Sequence, residues 1–122
     1  MRPRILIVDD EADIRETFAD FIQKRLDCVI DLKANGVEAI LALEAEEYHV
    51  LLLDLQMPGV DGFEVLARAM ALRPGMIILV MSRLDDPVRE KKIEDTGAVY
   101  ITKPASLKAV LACIERKLAE RR

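Results

Sequence analysis

Four apolar runs in this chain each stop at a polar residue. Ile5-Leu6-Ile7-Val8 runs into Asp9 and Asp10, and Val50-Leu51-Leu52-Leu53 into Asp54. Ile77-Ile78-Leu79-Val80-Met81 runs into Ser82, and Ala98-Val99-Tyr100-Ile101-Thr102 into Lys103. Short runs of this kind, too continuous for a half-exposed strand, predict strands buried on both faces. The stretches between them change period. Ile14, Phe18, Phe21, Ile22 and Leu26 recur at helical spacing and predict a helix over about 11–25, followed by another strand near Cys28 to Lys33. Asn35 with Glu38, and Asp61 with Glu64, have the spacing of a capping box and open two further helices, the later one ended by Arg73-Pro74-Gly75. Pro87 after Asp86 suits a first helical turn and Gly97 a helix stop, but only Val88 and Ile93 offer an apolar face between them, so this helix should be loosely anchored. The last helix is firmer, because Leu107, Val110, Leu111, Ile114 and Leu118 form a continuous stripe.

Five strands alternating with five helices, joined by right-handed crossovers, predict an α/β fold with a doubly wound parallel sheet. Ligands of such sheets bind at the carboxyl ends of the strands, which is where Asp9, Asp10, Asp54, Ser82 and Lys103 fall. The expectation is one pocket holding three carboxylates, a hydroxyl and an ammonium. Clustered carboxylates repel one another unless a cation joins them, and an all-oxygen ligand set suits Mg2+. An ammonium and a hydroxyl opposite a metal are what a transferring phosphoryl group needs, since its peripheral oxygens carry the charge.

A chain of 122 residues that is 52% hydrophobic is expected to form one domain over 1–122 with a sizeable core. No apolar run approaches the roughly 20 residues that span a bilayer, and Met1-Arg2-Pro3-Arg4 leads into a strand instead of a signal-peptide segment, so a cytoplasmic, non-membrane protein is expected. Cys28 and Cys113 have no CxxC spacing and read as buried free thiols, while His49, the only histidine, reads as a surface residue. Charge is uneven: residues 1–61 hold 14 acidic and 6 basic side chains, a balance of −8, and residues 62–122 hold 8 acidic and 12 basic, a balance of +4. The basic half reads either as solvated helix faces or as a docking surface for an acidic partner. With no aromatic residues interleaved in a basic patch, direct nucleic-acid binding by this chain is not expected.

The Asp9-Asp10 pair, Asp54, Met57-Pro58-Gly59 with Asp61-Gly62, Ser82, and Lys103-Pro104 stand in the order and spacing of one family. The chain resembles a receiver domain of a two-component response regulator, similar to the chemotaxis regulator, over essentially its whole length. The resemblance implies a flavodoxin-like three-layer sandwich with strand order 2-1-3-4-5, whose switch point between the first and third strands brings Asp9, Asp10 and Asp54 side by side. It implies a phosphoacceptor, Asp54, whose carboxylate attacks the phosphohistidine of a sensor histidine kinase or phosphotransfer protein. Mg2+ would be held by Asp10 directly, Asp9 through water, Asp54, and the backbone carbonyl of Gln56. Lys103 would contact the phosphoryl oxygens, Ser82 would bond one of them, and Tyr100 would be the aromatic switch. The Lys103–Pro104 bond is expected to be cis. Readout would fall on the face of the fourth helix, fifth strand and fifth helix, which also offers a dimer surface; the downstream effector is not specified. Such a domain catalyses its own phosphorylation and dephosphorylation and is not otherwise an enzyme.

Each assignment has a plainer reading. Asp54 could be a turn former, Asp9 and Asp10 caps of the first helix, Lys103 a solvated loop lysine, and Tyr100 a packed strand residue. Two departures from the family's usual pattern matter. Arg83 stands where a small residue is usual, and would either restrict access to the pocket or pair with the phosphoryl group through its planar donor fork. Gln56 and Leu84 occupy the positions that tune hydrolytic water, and Leu84 cannot orient one, which favours a long-lived phosphoryl group. Other classes fit less well. An aspartate-nucleophile phosphatase would want a second Asp two residues after the nucleophile, where Gln56 stands. A flavin or nucleotide module would want a Gly- or Ser/Thr-rich loop after the first strand, where Asp9-Asp10-Glu11 repels phosphate. The remaining alternative is a receiver-shaped interaction module that works without phosphorylation.

Overall fold

Parallel pairing turns the apolar runs into a sheet whose strands all end on one edge. In the computed structural model, which describes residues 2–57, 59, 61–83 and 86–121, strands and helices alternate along the chain. They are β1 (Arg4–Val8), α1 (Ala12–Gln23), β2 (Val29–Lys33), α2 (Gly36–Ala45), β3 (Val50–Asp54), α3 (Gly62–Leu72), β4 (Ile77–Ser82), α4 (Pro87–Glu94), β5 (Val99–Thr102) and α5 (Leu107–Ala119). The sheet is parallel throughout, in the order β2-β1-β3-β4-β5. Val8 pairs with Leu53, Asp54 with Met81, and Ser82 with Thr102, so the chemistry-bearing strand ends lie in register.

The apolar runs are continuous because both faces of the sheet are covered. Alternate residues point to opposite sides. Leu6, Val8, Leu51, Leu53, Ile78 and Val80 pack with Ala39 and Leu43 of α2, Val65, Leu66 and Ala69 of α3, and Ile93 of α4. Ile5, Ile7, Val50, Leu52, Ile77, Leu79 and Met81 pack with Phe18, Ala19 and Ile22 of α1 and with Val110, Leu111, Cys113 and Ile114 of α5. Each fully buried aliphatic side chain contributes about 1.5–3 kcal/mol, so these two layers dominate the fold energy. Cys28 and Cys113 are buried and unpaired, as expected. Among the described residues no helix is long and apolar enough to cross a membrane.

Local chemistry sets the helix starts. Asn35 Oδ1 accepts the Glu38 amide at 2.9 Å while its Nδ2 donates to Glu38 Oε2 at 3.1 Å, a reciprocal cap. Asp61 behaves differently from the expected box. Its Oδ1 takes the Phe63 amide at 3.0 Å, and the Glu64 amide goes to the Asp61 carbonyl at 2.9 Å. Asp86 Oδ1 receives both the Val88 and Arg89 amides and so starts α4 firmly.

Two expectations need correction. Ile93 is the one buried side chain of α4; Val88 is 74% exposed. Five residues separate them, which is about 140° around a helix, so they cannot share a face. The Arg89 guanidinium stacks 5.1 Å from the Phe63 ring and supplies the second tie. His49 is half-buried instead of a surface residue. Its Nδ1 accepts the Arg4 amide at 3.0 Å, its own amide donates to the Arg4 carbonyl at 2.8 Å, and its carbonyl accepts the Ile77 amide at 3.0 Å. It stitches the starts of β1, β3 and β4.

Gly62 opens α3 where that helix crosses the end of β3. A Cβ there would lie 2.5 Å from the Leu55 carbonyl oxygen and 2.8 Å from the Leu55 Cα, and backbone cannot yield as a side chain can. Gly62→Ala is therefore expected to destabilise the fold by about 1–3 kcal/mol or more, read as a lower urea midpoint with an unchanged m-value. An unchanged midpoint would show that α3 can move away freely.

Candidate functional site

Three loops converge where β1, β3 and β5 end. Asp9, directly after β1, is fully buried, and Asp54, the last residue of β3, is nearly so. Asp10 is exposed. Oxygens of Asp9, Asp10 and Asp54 lie within 4.8 Å of one another. Lys103, just past β5, donates from Nζ to Asp9 Oδ2 at 3.1 Å and reaches Asp54 Oδ2 at 3.2 Å, with only 6% of its side chain exposed. The second oxygens are also held: Asp9 Oδ1 accepts the Glu11 amide at 2.9 Å, and Asp54 Oδ1 accepts the Gln56 amide at 3.1 Å.

The backbone around these groups is fixed by neighbouring strands. The Leu55 amide donates to the Met81 carbonyl at 2.9 Å, and the Lys103 amide to the Ser82 carbonyl at 2.8 Å. The Lys103–Pro104 peptide is cis, as the resemblance implies. Ser82 is fully buried at the end of β4, and Tyr100 on β5 packs partly buried against the core shared with α3 and α4. Asp9, Asp10 and Asp54 thus cluster, Lys103 pairs with Asp9 and Asp54, and Ser82 ends the neighbouring strand.

The plainer readings meet the same geometry. Lys103 is not a solvated loop lysine. Asp9 does hold the amide of Glu11, the residue that caps α1, so a structural bond coexists with its place in the cluster. Leu84 and Pro58 lie outside the described residues.

Burial pushes the Asp54 carboxyl above its ordinary value of 3.8; the Gln56 amide and the Lys103 ammonium pull the other way, and the Asp9 carboxylate adds to the rise. With all three carboxylates ionised, Lys103 offsets only one of three negative charges. An all-oxygen donor set with residual negative charge fits a hard divalent cation.

Arg83 is the residue whose surroundings sequence could not supply. Its amide donates to Gln56 Oε1 at 2.7 Å, and its guanidinium pairs with Glu11 Oε1 at 2.7 Å. Glu11 stands at the N-cap of α1, yet its side chain makes no cap bond. Read along the chain, Glu11 is only the residue after Asp10, and no spacing signal joins it to a partner 72 positions away. Arg83 and Lys103 line one hollow of about 390 Å³ with Ile14, Phe18, Met81, Pro104 and Ala105. A larger hollow of about 1020 Å³ surrounds His49 and Arg73 at the opposite ends of the strands, away from the carboxylates.

An open parallel sheet with an acidic site at its switch point defines a class of α/β domain, and comparison gives the family. The sequence model of the response regulator receiver domain matches residues 5–115. The chain belongs to that family. It is 34% identical over 115 residues to the transcriptional regulatory protein ResD of Bacillus subtilis, covering 94% of this chain and 48% of that protein. It is 32% identical over 122 residues to a protein-glutamate methylesterase/protein-glutamine glutaminase of Rhodospirillum rubrum, covering 97% of this chain and 33% of that protein. The chain therefore spans about half or less of these curated relatives. Among solved structures, a CheY-like receiver domain from Methanospirillum hungatei superposes with a TM-score of 0.91 at 29% identity, covering 98% of this chain and 96% of that one. The BeF3-activated receiver domain of DrrB superposes with a TM-score of 0.87 at 26% identity, covering 98% and 99%.

Because the folded Asp54 carboxyl sits above its unfolded value, the folded state favours the protonated form. Its contribution to stability is present below the unfolded value near 3.8 and is lost as pH rises through the raised folded value. At pH 7, without divalent cation, the ionised carboxylate is a cost. Asp54→Asn is expected to raise the thermal midpoint of the metal-free protein at pH 7 by a few degrees and to flatten its loss of stability as pH rises above the ordinary carboxyl value of 3.8. A lower midpoint in Asp54→Asn would mean that the Lys103 contact outweighs burial.

Proposed function

We propose that residues 1–122 form one cytoplasmic receiver domain that takes a phosphoryl group onto Asp54 from the phosphohistidine of a sensor histidine kinase or phosphotransfer protein. The observation that carries this reading is the position of Asp54. It is a buried carboxylate with one oxygen on Lys103 and the other on the Gln56 amide, beside Asp9 and Asp10. In the transfer, a carboxylate oxygen of Asp54 bonds to phosphorus as the donor N–P bond breaks. The bonding pair returns to the donor imidazole, which gains a proton, and Asp54 becomes an acyl phosphate. Lys103 lies where it meets the negative charge that gathers on the phosphoryl oxygens, and Ser82 would donate its hydroxyl to one of them. Asp9, Asp10, Asp54 and the carbonyl of Gln56 would hold Mg2+, which when bound supplies further neutralisation of that charge. Attack by water on the acyl phosphate reverses the loading, so the domain would catalyse its own dephosphorylation and act on no separate substrate.

With Mg2+ and a small acyl-phosphate donor, intact-mass spectrometry should find one added phosphoryl group, lost in Asp54→Asn. Asp10→Asn, or removal of the metal by chelation, should slow labelling about tenfold or more. Equal labelling of wild type and Asp54→Asn would reject the assignment. No labelling of the wild type would leave a receiver-shaped interaction module.

Readout is proposed on the face of α4, β5 and α5, which would also serve as a dimer surface. Ser82 drawn towards the new phosphoryl oxygens would pull the chain leading into α4, and space opened behind it would admit Tyr100. The support is the thin anchoring of α4, a helix of eight residues with Ile93 alone buried. Few apolar contacts must break for it to shift, and the size of the shift is limited by how much better the active arrangement binds the phosphoryl group. Amide exchange with and without beryllium trifluoride should therefore change from Asp86 to Lys108. Changes confined to the loops at Asp9, Asp54 and Lys103 would reject this switch.

A further inference from the structure

The chain segments that follow β1, β3 and β4 are tied together by a short run of polar contacts, Glu11 to Arg83 to Gln56. Each member neighbours a group already placed in the site: Glu11 follows Asp10, Gln56 is two residues past Asp54, and Arg83 follows Ser82. The two contacts differ in kind. The Arg83 amide is fixed on Gln56 Oε1, whereas its guanidinium is held by Glu11 in a pair with side chains 62% and 46% exposed. Pairs this exposed contribute little and break readily. A phosphoryl group carries about −1.5 to −2 charge and three acceptor oxygens, and so offers a guanidinium more than one carboxylate does.

We propose that Arg83 is a phosphoryl-binding residue held in reserve, with Glu11 as its exchangeable resting partner. When Asp54 carries a phosphoryl group, the guanidinium leaves Glu11 for the phosphoryl oxygens while its backbone stays anchored on Gln56. Glu11 is then a positioning residue: it holds the guanidinium at the residue that follows Asp10, and it competes for the guanidinium with whatever anion enters. The idea rests on Asp54 being the phosphoacceptor.

The test is the affinity for beryllium trifluoride at saturating Mg2+, measured by calorimetric titration on wild type, Glu11→Gln, Arg83→Met and the double variant. Arg83→Met keeps an apolar stem in the hollow and removes only the donor fork. It should weaken binding severalfold, while Glu11→Gln should tighten it by about two- to fivefold, the worth of an exposed pair. Glu11→Gln also removes a negative charge near the pocket, so the decisive quantity is the difference between backgrounds. Its tightening should be at least twice as large with Arg83 present as in Arg83→Met. Equal tightening in both backgrounds, or unchanged binding by Arg83→Met, would overturn the exchange while leaving Asp54 as phosphoacceptor. Failure of the wild type to bind the mimic with Mg2+ would overturn both.

Discussion

An ammonium shared by two buried carboxylates is the interaction on which the rest of the site depends. Lys103, Asp9 and Asp54 expose 6%, 0% and 3% of their side chains. Removing such charges from water costs several kcal/mol per ion, and their mutual attraction returns that cost only where the remaining valences are satisfied. The Glu11 and Gln56 amides take the second oxygen of each carboxylate and so lower that cost, but burial still holds the Asp54 carboxyl above its ordinary value. A buried ion cluster is nevertheless poor evidence for stability, because an apolar filling of the same volume would often serve the fold as well. Its place at the ends of β1, β3 and β5 is better explained by what the charges can bind.

The two apolar layers make that cluster affordable by making it rigid. β1, β3 and β4 are buried on both faces, so their register cannot slip without moving a full set of side chains to the wrong core. Asp9 and Asp54 inherit their separation from the pairing of Val8 with Leu53, and Leu55 is pinned to Met81. Gly62 then lets α3 begin against the Leu55 backbone, close behind the Asp54 turn. Rigidity fades towards β5 and α4, where β5 is only partly buried and one buried isoleucine and the Arg89–Phe63 stack hold the helix. The fold thus sets a fixed site beside a lightly held surface.

The strands, their alternation with helices, and the five strand-end residues were legible because each depends on local pattern: a continuous apolar run, a polar stop, a capping spacing. Strand order was legible through resemblance alone, since period says nothing about which strands pair. Three residues escape local pattern for one reason. The apolarity of Val88 suggests an anchor, though its angle on an eight-residue helix points it away from Ile93. His49 has no second ligand in the sequence, and its role is a backbone bond to Arg4, a partner that no spacing rule identifies. Glu11 reads along the chain only as an obstacle to phosphate. Its partner lies 72 residues on, and only the sheet order brings the β1 and β4 loops together.

Two basic residues flank this site, and depth separates their roles. Lys103 is desolvated between two carboxylates, so moving it would strand buried charge, and its ammonium is effectively part of the fold. Arg83 makes an ion pair that is shorter, at 2.7 Å, yet weaker in consequence, because water stands ready to replace either partner. Distance alone would rank them the other way. If the site takes up a multiply charged group as proposed, both kinds of cation would serve it: one that fixes where the charge sits, and one that can leave its resting partner at little cost to the fold.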